Sequence, residues 1–392
     1  MLEAALAAGL ASVGTGVVIG GVLPTPAVAE LVANDDAFGA GVVISASHNP
    51  FADNGIKLFG SDGFKLPDTT EAEIEGLIEL DGPRPTGAQV GQIDQWIDAR
   101  ERYLDLLLQR LDLDLTGLNI AIDCANGATV TTAETALVRL GARVHVVANT
   151  PDGVNINVNC GSTHPQLLAE AVRAGGHDLG LTFDGDGDRV LAIDGAGQVV
   201  DGDQILALLA LDLKGRAALP NNTVVTTTMT NLGFRKAMRA EGIDVSWTDV
   251  GDRYVLAEMR ANGHVLGGEQ SGHLLNLSHG PTGDGLAAGL QLIGALGRRG
   301  ESLTEAAKVM TRLPQKLVNI SGVRREALAG ATEVWDAVAA CEAELGEDGR
   351  VVVRPSGTEP LVRVMVEAPT EDDCDRWCTR IAAICERVLG AP

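Results

Sequence analysis

Three aspartates stand at alternate positions in Asp184-Gly185-Asp186-Gly187-Asp188-Arg189, separated by glycines. On a tight loop their carboxylates can turn toward one point, the oxygen-rich surroundings that hard cations such as Mg²⁺ or Ca²⁺ require. A polar turn is the plainer reading. An EF-hand is excluded by its own spacing, because Arg189 stands where that loop needs glycine and Gly195 where it needs glutamate. Carboxylates crowded in this way repel one another, and a cation relieves the repulsion. Mg²⁺ is favoured over Ca²⁺ because it commonly completes its shell with phosphate and water.

Three further stretches carry reactive or ligand-binding residue types. In Gly41-Val42-Val43-Ile44-Ser45-Ala46-Ser47-His48-Asn49-Pro50 a β-branched run stops in small and polar residues, and Pro50 ends any ladder beyond it. Ser47 and His48 are thereby placed on a loop at the carboxyl end of a strand, where α/β sheets handle ligands, although a lone Ser-His pair also fits a plain polar exit. Gly267-Gly268-Glu269-Gln270-Ser271-Gly272-His273 offers Glu269, Ser271 and His273 on a glycine-flanked loop able to hydrogen-bond a polyol ring, or an ordinary hairpin. Arg354-Pro355-Ser356-Gly357-Thr358-Glu359-Pro360, followed by Arg363, sets small residues between two arginines. Backbone N–H groups and hydroxyls there can wrap a phosphate that a guanidinium grips bidentately, and a simple turn between strands is the alternative.

The elements that must position these loops follow an α/β rhythm. A helix is expected over 2–13, a strand over 16–19, a helix from Pro24-Thr25-Pro26, and the strand ending at Ile44. The turn Asp53-Asn54-Gly55 leads into a short strand through Phe59 that aims Lys57 at the serine loop. Helices near 70–80 and 94–110 precede a linker at 112–116. A β-α-β unit then runs from strand 118–123 through helix 129–140 to strand 144–147, and helix 165–174 leads to strand 178–183 before the aspartates. A third unit comprises strand 224–226, helix 231–240, strand 244–247 and helix 252–261. From about 313 the pattern changes to helix 327–345, strands 351–353 and 362–366 and helix 371–388, a small α+β domain on an antiparallel sheet. The expected fold is therefore three similar α/β domains plus a C-terminal α+β domain, divided as 1–111, 112–213, 214–312 and 313–392.

Composition limits the partners. Thirty basic against fifty-three acidic residues give a net charge of −23 over 392 residues, which argues against nucleic acid and anionic membrane surfaces. Any phosphate-bearing ligand then needs locally concentrated arginine, lysine and backbone N–H groups. No apolar run is long enough to span a bilayer, and the acidic start lacks a signal-peptide n-region, so a cytoplasmic location is expected. The six cysteines include no Cys-x-x-Cys pair; Cys374 and Cys378, four apart on a helix, lack companions for a metal site and read as structural.

Taken together and in this order, the four motifs resemble the α-D-phosphohexomutase superfamily, over essentially the whole chain. The resemblance implies mixed-sheet domains around a central active-site cleft and a phosphoryl-transfer isomerase acting on a small-molecule sugar phosphate. It makes Ser47 a phosphoserine whose phosphate touches a Mg²⁺ held by Asp184, Asp186 and Asp188, with a hexose 1,6-bisphosphate as intermediate and activator. His48 and Lys57 would handle protons and phosphate charge, with Arg189 beside the metal. Glu269, Ser271 and His273 would hold sugar hydroxyls, and Arg354, Ser356, Gly357, Thr358 and Arg363 would clamp the non-reacting phosphate. The form of the sugar loop, with Gln270 and His273, the following Gly283-Asp284-Gly285 and Arg363-Val364-Met365-Val366-Glu367 look most like the branch of the family that acts on amino sugars, and this resemblance implies glucosamine 6-phosphate and glucosamine 1-phosphate as the pair interconverted, feeding amino-sugar and peptidoglycan-precursor synthesis. Mannose or glucose phosphates, or phosphosugar binding without turnover, are the alternatives. Members usually begin with a strand and a Gly-Thr-Asp-Gly-like stretch that does not occur here, so the first domain is expected to be incomplete at its front with an unpaired sheet edge. The sequence leaves the oligomeric state open, a homodimer included.

Overall fold

The computed structural model describes residues 1–78, 82, 84–356 and 360–390. By its contacts the chain divides into two units, one of residues 1–229 and 243–309, the other of 230–242 and 310–392.

The larger unit contains three α/β modules. In the first, β1 (Val17–Ile19), β2 (Ala40–Ser45), β3 (Gly55–Gly60) and β4 (Ile93–Gln95) pair as two separate pieces, β1 parallel with β4 and β2 antiparallel with β3. The short β4 lies where a helix beginning at 94 was expected; the helix starts only at Ala99 and runs to Gln109. Its inward face, Tyr103, Leu104 and Leu107, is buried.

The second module is a five-stranded sheet of β5 (Asn119–Asp123), β6 (Arg143–Val147), β7 (Leu179–Phe183), β8 (Val190–Asp194) and β9 (Val199–Val200), in the order β6-β5-β7-β8-β9. The first three of that order are parallel, and β8 and β9 return antiparallel. Every residue of β7 and β8 is buried, which explains their continuous apolar character: helix Gln166–Gly175 and helix Gly285–Arg299 both pack on them. Gly289 permits the second of these approaches, since a Cβ there would lie 2.7 Å from Leu181 Cδ1.

The third module repeats the scheme with β10 (Thr223–Thr227), β11 (Asp244–Thr248), β12 (Leu266–Gly268) and β13 (Leu274–Asn276) in the order β11-β10-β12-β13, again parallel except for the last. The mixed α/β architecture of the modules is as expected. A consequence not legible in the residues alone is that the aspartate loop and the sugar loop occupy the same place, the hairpin joining the third strand to its antiparallel neighbour.

The smaller unit is built on an antiparallel sheet as expected, but of three strands: β15 (Arg350–Pro355) and β16 (Leu361–Glu367) fall where strands were expected, and an unexpected β14 (Gln315–Ser321) joins them in the order β14-β16-β15. Helices Thr332–Leu345 and Glu371–Leu389 bury Val334, Val338, Cys341, Trp377, Ile381 and Cys385 with the inner residues of the strands. Cys374 and Cys378 donate through sulfur to the carbonyls of Pro314 and Lys316, in keeping with structural thiols, and all six cysteines are unpaired. Helix Leu232–Ala240, a crossover of the third module, groups with this unit. Glu367, fully buried, contributes to this: it accepts from Leu232 N at 2.8 Å and from Arg350 Nε and Nη2 at 2.8 and 3.0 Å, and Asn231 exchanges hydrogen bonds with Leu313 beside it. Glu367→Ala takes the buried carboxylate from the Arg350 guanidinium, which keeps Thr230 O, and from the helix N-terminus, and is expected to lower stability by about 3 kcal/mol. Denaturant titration of the variant checks this, and a loss below about 1 kcal/mol would refute it, as expected of an ordinary surface ion pair. Among the described residues no helix is long and apolar enough to cross a membrane.

Candidate active site

The aspartate loop is the six-residue connection between Phe183 and Val190, which face each other across β7 and β8. Gly187, at φ 74°, turns it, and its backbone is pinned from three sides: Thr25 N donates to Asp186 O, Ala128 N to Gly185 O and Gly285 N to Gly187 O. Thus fixed, Asp184, Asp186 and Asp188 are all buried, each with a carboxylate oxygen within 4.8 Å of the others'.

The serine loop joins β2 to β3, so it too is a hairpin connection. Ser47 takes a left-handed φ of 52°, a conformation that costs a residue other than glycine energy and that surrounding structure must enforce. Its N–H donates to Ser45 Oγ at 2.8 Å, and its carbonyl lies against Gly185, where a Cβ would come to 2.5 Å. Ser47 Oγ donates to Asp184 Oδ2 at 3.3 Å and stands 3.4 Å from His48 Nδ1. Lys57 lies opposite Val43 in the hairpin and extends its Nζ to Asp186 Oδ2 at 2.5 Å and Asp188 Oδ2 at 3.0 Å. The lysine points toward the site as the sequence suggested, but the strand itself aims it: Gly55 is already paired with Ser45 as the first residue of β3, and no turn falls at Asn54-Gly55.

Charge within this cluster is distributed unevenly. Burial, joined by Asp188 and Asp186, pushes the Asp184 carboxyl well above the usual range. Burial would raise Asp188 as well, but His273, Lys57 and Arg189 outweigh it and hold that carboxyl well below its ordinary value. Burial opposes the charge on Lys57, and Asp188 and Asp186 more than offset it, so the ammonium is retained far into the alkaline range. Burial and then Arg189 lower the His48 imidazole, leaving it neutral near neutral pH.

The fit of a cation rests on two oxygens. Asp186 Oδ1 and Asp188 Oδ1 are buried and accept no hydrogen bond, although a buried carboxylate oxygen left without a donor is costly. Asp184 brings a carboxylate oxygen to the same point, and the triad can hold a metal ion.

The sugar-loop residues take different stations. His273 pairs in a bridge with Arg189, and its ring lies between Asp188 Oδ1, 3.5 Å from Nδ1, and Asp252 Oδ2, 3.7 Å from Nε2. Lys65 also pairs with Asp252, whose carboxyl His273 and Lys65 hold at about 2 against the raising effect of burial. Glu269 accepts from Gly251 N at 3.1 Å and so anchors the entry to helix Asp252–Asn262, while Ser271 is exposed at the loop tip. Arg189 donates its backbone N–H to Asp184 Oδ1 at 3.1 Å, with Nε 3.9 Å from Asp188 Oδ1.

In the smaller unit Arg354 and Arg363 are directly opposite each other on β15 and β16. Ser356 follows, buried, with its N–H on Leu361 O at 2.9 Å and its carbonyl receiving Arg325 Nη1 at 2.7 Å. Gly357 and Thr358 lie outside the described residues.

Sequence reasoning missed several contributors. Thr25, expected only to open a helix, is fully buried with Oγ1 on Asp186 Oδ2 at 2.5 Å. Asp252 meets His273, and Lys65 meets Asp252, from segments that no motif spacing connects. Asn157, in a run of asparagines that resembles an ordinary polar loop, touches the serine loop itself.

Family models for phosphoglucomutase/phosphomannomutase match the chain throughout: α/β/α domain I over residues 1–83, domain II over 101–197, domain III over 201–313 and the C-terminal domain over 312–384. Phosphoglucosamine mutases of Bacillus cereus strain AH187 and Bacillus anthracis strain A0248 are each 48% identical over 394 aligned positions, covering 100% of this chain and 88% of the relative. Among solved structures, a phosphoglucomutase/phosphomannomutase family protein from Burkholderia thailandensis aligns with a TM-score of 0.81 at 23% identity, covering 99% of this chain and 86% of that one. The Aspergillus fumigatus N-acetylphosphoglucosamine mutase in complex with GlcNAc-6P and magnesium aligns at 0.71 and 18% identity, covering 93% and 92%. At such identities the two structures speak for the fold.

Proposed function

As the chain belongs to the phosphoglucomutase/phosphomannomutase family, the α-D-phosphohexomutases, we propose that it is an isomerase of the phosphoglucosamine mutase type, interconverting glucosamine 6-phosphate and glucosamine 1-phosphate. The observation that carries this reading is the meeting of Ser47 Oγ with Asp184, 137 residues away in sequence, in a chain 48% identical to phosphoglucosamine mutases over its whole length.

Ser47 carries a phosphoryl group. A hydroxyl oxygen of the bound sugar phosphate attacks that phosphorus, the P–Oγ bond breaks, and a 1,6-bisphosphate is left beside a free serine. In the second half the bisphosphate, turned around, returns its other phosphoryl group to Ser47 Oγ and leaves as product. Phosphoryl transfer of this kind depends on positioning and charge neutralisation. His48, neutral and 3.4 Å from Ser47 Oγ, accepts the proton that leaves the attacking hydroxyl and passes it to the departing Oγ of Ser47, and in the second half carries it from Ser47 Oγ to the departing sugar oxygen. Lys57 remains a permanent cation over the loop. Mg²⁺, held by Asp184, Asp186 and Asp188, supplies Lewis-acid stabilisation of phosphoryl oxygens when bound.

Arg354, Ser356, Gly357, Thr358 and Arg363 hold the phosphate that is not reacting. Directly opposite each other on the sheet, the two guanidinium groups can both reach one phosphate. Glu269, Ser271 and His273 receive the sugar hydroxyls. The four-domain division at 111/112, 213/214 and 312/313 assigns one of these tasks to each domain: phosphoserine, metal, sugar and phosphate.

The test is a Mg²⁺-dependent assay on glucosamine 6-phosphate and glucose 6-phosphate with peptide mapping of 41–57. Phosphate on Ser47 is expected, with kcat/KM higher for the amino sugar by about 10–100-fold, the worth of one hydrogen bond to a charged group. Preference for glucose or mannose phosphates would move the assignment to phosphoglucomutase or phosphomannomutase. An unphosphorylated, inactive chain after charging with glucose 1,6-bisphosphate would overturn it.

A further inference from the structure

The left-handed Ser47 is held in place by a side chain from the neighbouring module. Asn157 is buried, and its amide group donates both hydrogens to the serine loop, to Ser47 O at 2.8 Å and to Asn49 O at 2.9 Å. The orientation of that amide is forced, because a flipped group would set its oxygen against two carbonyls. Asn157 Oδ1 has no hydrogen-bond partner, so the side chain is committed to the loop at the expense of its own acceptor.

The support beneath Asn157 is equally specific. Its N–H donates to Ala125 O at 2.9 Å, and Asn157 and Ala125 are both left-handed, at φ 61° and 54°. Asp123, fully buried at the end of β5, accepts from Ala125 N and from Gly161 N, both at 2.8 Å, and so ties the two ends of this bracket to the sheet. The next two strands in the order are β7 and β8, whose hairpin bears Asp184. One sheet thus carries both Asp184 and the amide that holds Ser47.

We propose that Asn157 is a positioning residue of the phosphoryl transfer: its amide fixes the Ser47 backbone so that Oγ stands in register with Asp184. The inference rests on Ser47 being the phosphoryl carrier. Asn157 has no place in the serine, aspartate, sugar or phosphate motif, and it acts through the loop that carries Ser47.

Asn157→Ala and Asn157→Asp are compared with the intact chain by hydrogen exchange and steady-state kinetics. Asn157→Ala is expected to stay folded by circular dichroism and to exchange the amides of 45–54 at least 10-fold faster, with protection of β7 and β8 unchanged. It lowers kcat for glucosamine 6-phosphate about 10–100-fold with KM within twofold, since nothing that binds sugar is removed. Asn157→Asp, whose carboxylate repels both carbonyls, is expected to lose more at neutral pH and to regain activity relative to the unaltered chain as pH falls, when a protonated carboxyl can donate once. Unchanged exchange of 45–54, or a raised KM with kcat intact, overturns the proposal. An unaltered chain that carries no phosphate on Ser47 and turns nothing over overturns the functional reading instead, and the exchange measurement still decides whether Asn157 holds the loop.

Discussion

Ser47→Ala is expected to reduce kcat with glucosamine 6-phosphate by about 10⁴-fold or more, the scale on which removal of a covalent nucleophile from a coupled site acts. Only one oxygen atom is lost. Alanine keeps the Cβ at φ 52°, so the loop conformation is as demanding as before, and the N–H to Ser45 Oγ and carbonyl to Asn157 contacts are backbone groups that survive. The hydroxyl gives up one long hydrogen bond to Asp184, at 3.3 Å, and stability should change by less than about 1 kcal/mol. The variant should therefore bind sugar phosphate while carrying no phosphate on the 41–57 peptide. Steady-state turnover together with peptide mass decides the matter. A variant that kept a tenth of the activity would show that phosphate passes directly between sugar oxygens, and Ser47 would lose its role.

What could be read in advance and what could not divide along physical lines. The serine, aspartate and sugar loops were legible because their residue types are dense and local: glycines that permit a turn beside carboxylates, and a serine at a strand exit. The alternating modules were legible because β-branched runs and helical periodicities recur, and the fully buried β7 is a continuous apolar run; β8, equally buried, was not anticipated. The short β4 was not, since its Ile93-Asp94-Gln95 is exposed throughout and borders a strong helical pattern. Nor was β14, whose Gln315–Ser321 buries only Ile320. Helix Leu232–Ala240 was correctly placed, but its association with the smaller unit depends in part on Glu367, 135 residues from Leu232, which no local pattern contains. The same holds within the site. Thr25, Asp252 and Asn157 act through single contacts with the motif residues, and one contact between distant segments leaves no periodicity behind.

The second large effect concerns the aspartates, and there activity and stability should move in opposite directions. Asp184→Asn preserves shape, and its Oδ1 can still accept from Arg189 N at 3.1 Å. It removes the carboxylate that burial and the neighbouring Asp188 and Asp186 make hardest to ionise. A carboxyl whose folded-state value lies above the unfolded one stabilises the fold below the unfolded value, and that stabilisation is lost as pH rises through the folded value. At neutral pH without metal, ionising Asp184 is thus a cost, which the asparagine escapes. Metal-free Asp184→Asn is therefore expected to melt no lower than the metal-free unaltered chain. Adding Mg²⁺ should reverse the order: a cation that binds only the folded state stabilises it by RT ln(1 + [L]/Kd), about 2.7 kcal/mol at a hundredfold excess over Kd, and the asparagine variant gains little of this. Turnover of the variant should fall about 10²–10⁴-fold, matching the several kcal/mol that Lewis-acid stabilisation contributes, and chelation with EDTA should bring the unaltered chain to a comparable level until Mg²⁺ is restored. Thermal melts with and without Mg²⁺, run beside the assay, separate the two effects. Should Mg²⁺ leave the melting temperature of the unaltered chain where it was, and EDTA leave its activity intact, the two unsatisfied oxygens of Asp186 and Asp188 would need another partner, and Lys57 Nζ, already 2.5 and 3.0 Å from their sister atoms, is the cation within reach.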